Sequence, residues 1–159
     1  MININNVVYP LACLSFSIII SAGIYEHLAI WPRLLSTPPT SLSMFQGESG
    51  LNALVFWPKI HPLALLILIT TLAISWKSKR RKNVLVVLIG YLLIIGITFI
   101  YFIPELIQSV STEYATAIDE SLKIRGDFWE KLSLLRIAIA IGLAILLFLG
   151  LTKPTLKAE

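Results

Sequence analysis

Four long apolar stretches constrain this chain more than any other feature of its sequence. A helix needs about 20 mainly apolar residues to cross a hydrocarbon core about 30 Å thick. Stretches of that length run from about Val7 to Trp31, from about Val55 to Trp76, from Val84 to about Ile103 and from about Leu132 to Leu151. Backbone groups inside lipid must be hydrogen-bonded within their own segment, and none of the stretches alternates as barrel strands do, so each is predicted to be a helix.

The composition agrees with a membrane protein. The chain has 159 residues, of which 57% are hydrophobic and 14% are charged, whereas a soluble domain carries about 25% charged residues. Soluble, disordered and collagen-like classes are therefore excluded. The single cysteine, Cys13, excludes an intrachain disulfide and a cysteine-based metal or thiol redox centre. The predicted fold is an all-α integral membrane four-helix bundle, a single domain over residues 1–159.

The basic residues predict the orientation of this bundle. Five of the six residues from 77 to 82 are Lys or Arg, and Lys153 and Lys157 follow the fourth stretch. Basic residues in short loops stay on the cytoplasmic side, so the 77–83 loop and both termini are predicted to be cytoplasmic in the cell's inner (plasma) membrane. The basic cluster is interpreted as this topology signal, with contact to anionic membrane lipid; no nucleic acid is expected as a partner.

Three local patterns refine the predicted elements. The leading MININN lacks the basic residues of a signal peptide, so the first stretch is expected to be a retained helix. Apolar residues at helical spacing after Pro104 predict that the third helix continues on the outer side of the membrane, up to about Ile118. Gly126 is expected to end the following turn, and Asp127–Glu130 has the form of a capping box that opens the fourth helix.

Polar residues inside the apolar stretches fall at one depth. Glu26 and His27 lie in the outer third of the first stretch, His61 at the outer start of the second, Glu105 at the outer end of the third, and Arg136 one turn into the fourth. Ionisable residues within a span are costly and are a functional hypothesis by default. The pattern predicts a polar pocket between the four helices, open toward the outer side.

Structural explanations remain open for the charged members of this set. Glu26 can pair with Arg136 or Arg33, and Arg136 can extend to the interface or pair with Glu26 or Glu105. The four tryptophans flank the stretches, and anchoring at the membrane interface is the default expectation for each. Trp57 shares a helix face with His61, and Trp129 shares one with Arg136, so both are also candidates for the pocket wall.

The residues favour no particular cofactor. The chain has no Glu-x-x-His pair, no nucleotide-binding glycine loop and no nucleophile elbow. A mononuclear metal site from His61, Glu26 and Glu105 is conceivable, as is haem ligation by His27 and His61. No metal is assigned, and the cofactor stays unknown.

Trp129-x-x-x-Ser133-x-x-Arg136 at the head of the fourth stretch, with GIYEHLAIWP, FWPKIHP and TFIYFIPEL elsewhere, resembles the anthrone-oxygenase-like family of small four-helix membrane proteins, and in particular a bacterial branch of it. Ser133 stands where that family usually has Asn. The resemblance implies a membrane-embedded pocket and the oxygenation of a polycyclic phenolic substrate without an obvious metal. It would carry this activity onto Arg136, Trp129 and His61.

Two classes of function follow. In the first, the pocket binds a small aromatic or lipophilic molecule and has oxygenase-like or oxidoreductase-like activity. Its catalytic residues would be Glu26 as desolvated acid or base, His61 as partner base and Arg136 as clamp on an anionic or phenolate oxygen, and its ligand-binding residues Trp57, Glu105, Trp129 and Ser133. In the second, the chain is a non-enzymatic membrane subunit in a homo-oligomer or membrane complex. Transport would require an oligomer, because the inner halves of the helices offer no polar path.

Overall fold

A computed structural model of the chain describes residues 4–48, 50–51 and 55–154. All regular secondary structure in these ranges is helical. The long helices are α1 (Asn5–Leu34), α2 (Trp57–Ile74), α3 (Arg81–Val110) and α4 (Glu120–Thr152), and each is long and apolar enough to cross a membrane. The all-helical architecture with four candidate spans is thereby confirmed. Lys157, used in the orientation argument, lies outside the described residues.

The four helices form a ring in which each packs against two neighbours. Helix α1 contacts α2 and α4, and α3 contacts the same two helices from the other side. The 77–82 turn marks one end of the ring, called here the basic end. The segments between α1 and α2 and between α3 and α4 mark the opposite end, called here the loop end.

The helix α4 begins earlier than the sequence patterns predict. Asp119 is its N-cap, with the side-chain Oδ1 accepting the Leu122 N–H at 3.0 Å. The capping box predicted at Asp127–Glu130 is wrong, because those residues lie inside the helix. Gly126 does not end a turn either: a Cβ there would meet Leu35 Cδ2 at 2.6 Å, so the glycine lets the end of α1 approach α4.

The helix α3 continues past Pro104, as predicted, but only as far as Val110. The Gln46 side-chain amide donates to the carbonyls of Val110 (2.8 Å) and Thr112 (3.0 Å), which satisfies carbonyl groups that a helix end leaves without partners. Residues 111–119 are irregular, and Asp119 N–H donates to the Pro38 carbonyl at 2.9 Å. The two segments of the loop end are therefore fastened to each other.

Two clusters of buried side chains fill the bundle at different heights. One lies toward the basic end and includes Tyr9, Phe16, Leu68, Val87 and Leu147. The other lies toward the loop end and contains Trp31, Leu34, Leu42, Phe102, Leu122 and Trp129. The space between these clusters is where the candidate site lies.

The basic end is closed by a polar cluster around Arg80. This side chain is only 7% exposed, and it donates to the carbonyls of Lys153 (2.9 Å) and Leu151 (3.3 Å) at the end of α4. A cation at a helix C-terminus satisfies terminal carbonyls and complements the helix dipole. Arg80 is thus a packed structural residue, whereas its basic neighbours Lys77, Lys79, Arg81 and Lys82 are exposed.

The helix α2 is short, and its length makes room for a cavity. It has 18 residues against 30 in α1 and α3, so it ends about 18 Å short of them if its other end is level with theirs. The space beside α1 and α3 beyond Trp57 is lined at the loop end by Phe45, Gly47, Glu48, Gly50 and Leu51.

Wide turns of π-helix interrupt α1 at Glu26–Ile30 and α3 at Thr98–Phe102. Each ends two residues before a proline, Pro32 or Pro104. Because proline lacks an N–H and its ring crowds the carbonyl four residues back, the turn before it widens. Trp31 N–H then bonds to the Glu26 carbonyl and Ile103 N–H to the Thr98 carbonyl, five residues back in each case.

Candidate functional site

A cavity of about 670 Å³ lies between the four helices, toward the loop end. This volume is typical of sites that bind small organic molecules. Most of its lining is apolar, and the polar side chains inside the bundle that line it are Glu26, His27, His61, Tyr91, Thr98 and Arg136. All four helices therefore contribute polar groups to one space.

The first polar pair joins α1 to α2. Trp57 Nε1–H donates to Glu26 Oε1 at 2.9 Å, and the indole ring stacks on the His61 imidazole with centroids 5.2 Å apart. Trp57 begins α2 and Glu26 begins the π-helical turn of α1. The indole thus fixes one carboxyl oxygen of Glu26, and the other makes no hydrogen bond within the described residues.

The second polar pair joins α2 to α3. His61 Nδ1 and the Tyr91 hydroxyl oxygen lie 2.6 Å apart, and Tyr91 is 1% exposed. Nδ1 is the one partner of this hydroxyl within the described residues, so the arrangement that satisfies the O–H has Tyr91 donating to Nδ1. His61 Nε2 then carries the ring proton and is a hydrogen-bond donor, and the imidazole belongs to a residue that lines the cavity.

Arg136 projects from α4 and is held by two hydroxyls. Its Nη1 donates to Thr98 Oγ1 and its Nη2 to Ser133 Oγ, each at 2.9 Å. The Thr98 hydroxyl donates to the Ile94 carbonyl at 2.7 Å, which turns its lone pairs toward the guanidinium. The guanidinium carbon lies 4.1 Å from the centroid of the Phe102 ring, within the range of a cation–π contact.

Arg136 has no carboxylate partner in the described part of the chain. The ion pair found there joins Arg125 to Glu105, with Nη2 and Oε1 2.6 Å apart. Direct pairing of Arg136 with Glu26 or Glu105, which the sequence left open, is therefore not observed. Three of the five N–H donors of the Arg136 guanidinium make no hydrogen bond within the described residues.

The structure brings most of the predicted site residues together. Glu26, Trp57, His61, Trp129 and Arg136 all line the cavity. Ser133, which is fully buried, contributes through its bond to Arg136 rather than as lining, so serine at this position does contact the arginine. Glu105 is not brought to the site: it does not line the cavity and it pairs with Arg125.

The expected interfacial role fails for two of the tryptophans. Trp31 and Trp129 are 3% and 5% exposed, and their rings pack edge to face with centroids 4.8 Å apart. Trp129 Nε1–H donates to the Phe102 carbonyl at 3.1 Å. Both residues therefore form the aromatic wall of the cavity, whereas Trp76 at the basic end is 53% exposed.

The sequence analysis missed Tyr91, Thr98 and Phe102. A usable signal exists for the first two, since Tyr91 and Thr98 are seven residues apart within an otherwise apolar stretch, and residues at that spacing share a helix face. Phe102 carries no such signal, because an aromatic residue in an apolar helix is ordinarily a packing residue.

His27 is buried beside the polar groups, with its ring nitrogens unequally satisfied. Nδ1 donates to the Gly23 carbonyl at 2.9 Å, while Nε2, like Trp31 Nε1, is buried without a partner in the described part of the chain. Within those same residues, no group of three or more His, Cys, Asp or Glu side chains is arranged to hold a metal ion. The conceivable set of His61, Glu26 and Glu105 is not assembled, because Glu105 turns to Arg125.

Comparisons with known proteins find no matching family model, no matching curated protein and no matching solved structure.

Proposed function

We propose that this chain is an integral membrane protein that binds a small lipophilic molecule in the cavity between its four helices. Its 77–82 turn and both termini face the cytoplasm, and the loop end faces the outside of the plasma membrane. Four candidate spans and the exposed Lys77, Lys79, Arg81 and Lys82 at one end support this orientation.

The observation that carries the proposal is the unpaired guanidinium of Arg136. A charge inside a membrane span is costly unless it is paired or lines a polar site, yet in the described residues no carboxylate lies within 4 Å of the Arg136 guanidinium, and Glu26 acts on it only at longer range. Two oriented hydroxyls hold it in one position, and its free N–H donors lie beside a largely apolar space. This arrangement is suited to bind an oxygen atom that carries negative charge, such as a phenolate or carboxylate.

The neighbouring groups extend the proposal to chemistry. Glu26, with one oxygen held by Trp57, is the group placed to accept or supply a proton. His61 supplies a hydrogen-bond donor through Nε2 rather than the free base expected from the sequence. Together with the resemblance to the anthrone-oxygenase-like family, this set favours a phenolic ring system that reacts with molecular oxygen inside the cavity.

Mass spectrometry of the protein purified in mild detergent tests the binding function. We expect a small lipophilic molecule to co-purify with the native chain and to be lost from Arg136→Met. The matched control is Arg125→Met, which removes an arginine from the same helix but from an exposed ion pair outside the cavity. This variant should retain the molecule.

Three results would contradict the binding function: an empty cavity in the native chain, retention of the molecule by a folded Arg136→Met variant, or isolation only as an obligate complex with an empty cavity. The last result would instead favour the non-enzymatic subunit. If Arg136→Met does not fold, Thr98→Val provides the same comparison with the charge left in place.

A further inference from the structure

The polar side chains of the cavity lie deep in the bundle and are called here the polar layer: Glu26, His27, His61, Tyr91, Thr98 and Arg136. The walls of the cavity toward the loop end are mostly apolar. Arg136 is seven residues beyond Trp129 in α4, which places it about 10 Å deeper. On α3, Thr98 precedes Val110, the last lining residue of that helix, by twelve positions, a helical distance of about 18 Å. Above the polar layer the walls are Trp31, Phe45, Phe102, Leu106, Val110 and Trp129.

Among the described residues, the mouth of the cavity carries no basic side chain. In the described part of the lining, the charged side chain at the loop end is Glu48, which is exposed, and the one basic side chain is Arg136 at the polar layer. An anionic group therefore meets a carboxylate and no basic side chain at the mouth, whereas deeper in the cavity Arg136 offers free N–H donors, with Glu26 as the acidic side chain that also lines this part. A membrane phospholipid has the opposite orientation, because its charged head group lies at the membrane surface and its acyl chains lie in the interior.

One side of the cavity wall also faces outward from the bundle. Phe99 and Ile107 line the cavity, yet they are 67% and 54% exposed. Both belong to α3, next to the short helix α2. In a bilayer this side of the wall would contact acyl chains.

The arrangement of the free N–H groups of Arg136 favours a particular head group for the ligand. Thr98 and Ser133 each take one N–H from a different terminal nitrogen of Arg136, which leaves one N–H on each of those nitrogens and the Nε–H. Two parallel N–H groups of a guanidinium match the two oxygens of a carboxylate. His61 Nε2–H adds a donor from α2.

We propose that the ligand is a lipophilic carboxylic acid, an apolar body with one carboxylate, which binds head first: the carboxylate on Arg136 in the polar layer and the apolar body among the aromatic residues toward the loop end. The proposal rests on the ligand-binding function above, replaces the phenolic head group that the family resemblance favours with a carboxylate, and adds the orientation.

Dodecanoic acid with bromine at defined positions tests the orientation, because bromine quenches nearby tryptophan fluorescence. The Trp76→Phe variant removes the distant indole at the basic end, and a further Trp57→Phe leaves Trp31 and Trp129 as the emitters in the aromatic wall. In this double variant we expect acid brominated at the terminal carbon to quench more strongly than acid brominated beside the carboxylate. Stronger quenching by the second acid would overturn the head-first orientation.

The head group is tested separately, without any change at Trp57. In the Trp76→Phe chain we expect dodecanoate to bind more tightly than its methyl ester or dodecylamine. Adding Arg136→Met should weaken dodecanoate binding about tenfold or more, the usual scale of a lost charge-assisted contact, and leave the ester unaffected. Adding Arg125→Met should change neither.

The two proposals fail in different ways. Equal affinity for the acid and the ester, or an unchanged dodecanoate affinity in Arg136→Met, overturns the carboxylate proposal. The binding function still stands if a small molecule of other chemistry co-purifies with the native chain. An empty native cavity overturns both, because the carboxylate proposal rests on the binding function.

Discussion

At the scale of single residues, the position of Arg136 depends on two small side chains whose hydroxyl oxygens accept its N–H groups. Ser133 is one turn before Arg136 on α4 and is fully buried, and Thr98 reaches the guanidinium from α3. Hydrogen bonds to a charged group contribute about 1.5–3 kcal/mol, and an unsatisfied buried donor costs a similar amount. These two residues are therefore positioning residues for the arginine.

Replacing Thr98 by valine tests this role, because valine keeps the shape and removes the acceptor. We expect Thr98→Val to lower the free energy of unfolding by about 1–3 kcal/mol, measured by denaturant unfolding in detergent. Thr70→Val is the control, since the Thr70 hydroxyl bonds to a carbonyl of its own helix on an exposed face. Equal stability of the two variants would show that Thr98 does not hold Arg136.

For the polar residues of the predicted site, the sequence predicts the depth within the bundle but not the side of the helix on which each side chain lies. Glu26, His61 and Arg136 lie at similar distances from the ends of their apolar stretches, and the structure does bring them to one cavity. The sequence places Glu105 near the same depth, at the outer end of the third stretch, yet its side chain pairs with Arg125. The difference between these residues arises at the scale of the helices that carry them.

At the scale of elements, the π-helical turn of α3 explains why Glu105 does not line the cavity as predicted. Residues seven apart share a face of a regular α-helix, and Thr98 and Glu105 have that spacing. The wide turn at Thr98–Phe102 inserts one residue, which rotates everything beyond it by about 100°. Leu106, eight residues after Thr98, accordingly lines the cavity instead.

The same shift occurs in the first helix and is absent from the fourth. Beyond the wide turn of α1, Leu34 is buried and Arg33 is exposed, at eight and seven residues from Glu26. In α4, which has no such turn, Trp129 and Arg136 are seven apart and both line the cavity. Prediction of a helix face from spacing therefore works in α4 and fails beyond each wide turn.

The start of α4 gives a prediction that depends on pH. Asp119 accepts hydrogen bonds from the Ser121 hydroxyl (2.7 Å) and the Leu122 N–H (3.0 Å), and these hold the pKa of its carboxyl below the ordinary value. A depressed pKa means that the stabilisation is present above about pH 4 and is lost as the pH falls through the folded-state pKa. The cap should thus weaken in acid.

Amide hydrogen exchange at Leu122, corrected for intrinsic rates, measures this weakening. We expect protection to fall on acidification in the native chain and to stay constant in Asp119→Asn, since asparagine is an uncharged N-cap. A native chain whose Leu122 protection is as constant as that of the asparagine variant would refute the charge-dependent cap.

At the scale of the whole molecule, the cavity exists because one helix is short. Four apolar stretches suffice to predict four candidate spans, since their lengths are set by the thickness of a bilayer. They do not predict that α2 covers 18 residues while α1 and α3 cover 30, nor that Phe45, Gly47, Glu48, Gly50 and Leu51 line the gap. Those features depend on contacts between distant segments, such as Gln46 with the end of α3.

The central claim is that polar side chains from separate helices share one cavity, and cross-linking in native membranes tests it most directly. In a Cys13→Ser background, one variant carries cysteines in place of both Thr98 and Arg136. A second variant carries cysteines in place of both Glu26 and Trp57. Ile100 and Leu135, on the same two helices as the first pair but 82% and 58% exposed, supply the control pair. A short bis-methanethiosulfonate reagent should join both cavity pairs and not the control pair. Failure to join either cavity pair, or equally efficient joining of the control pair, would contradict the shared cavity.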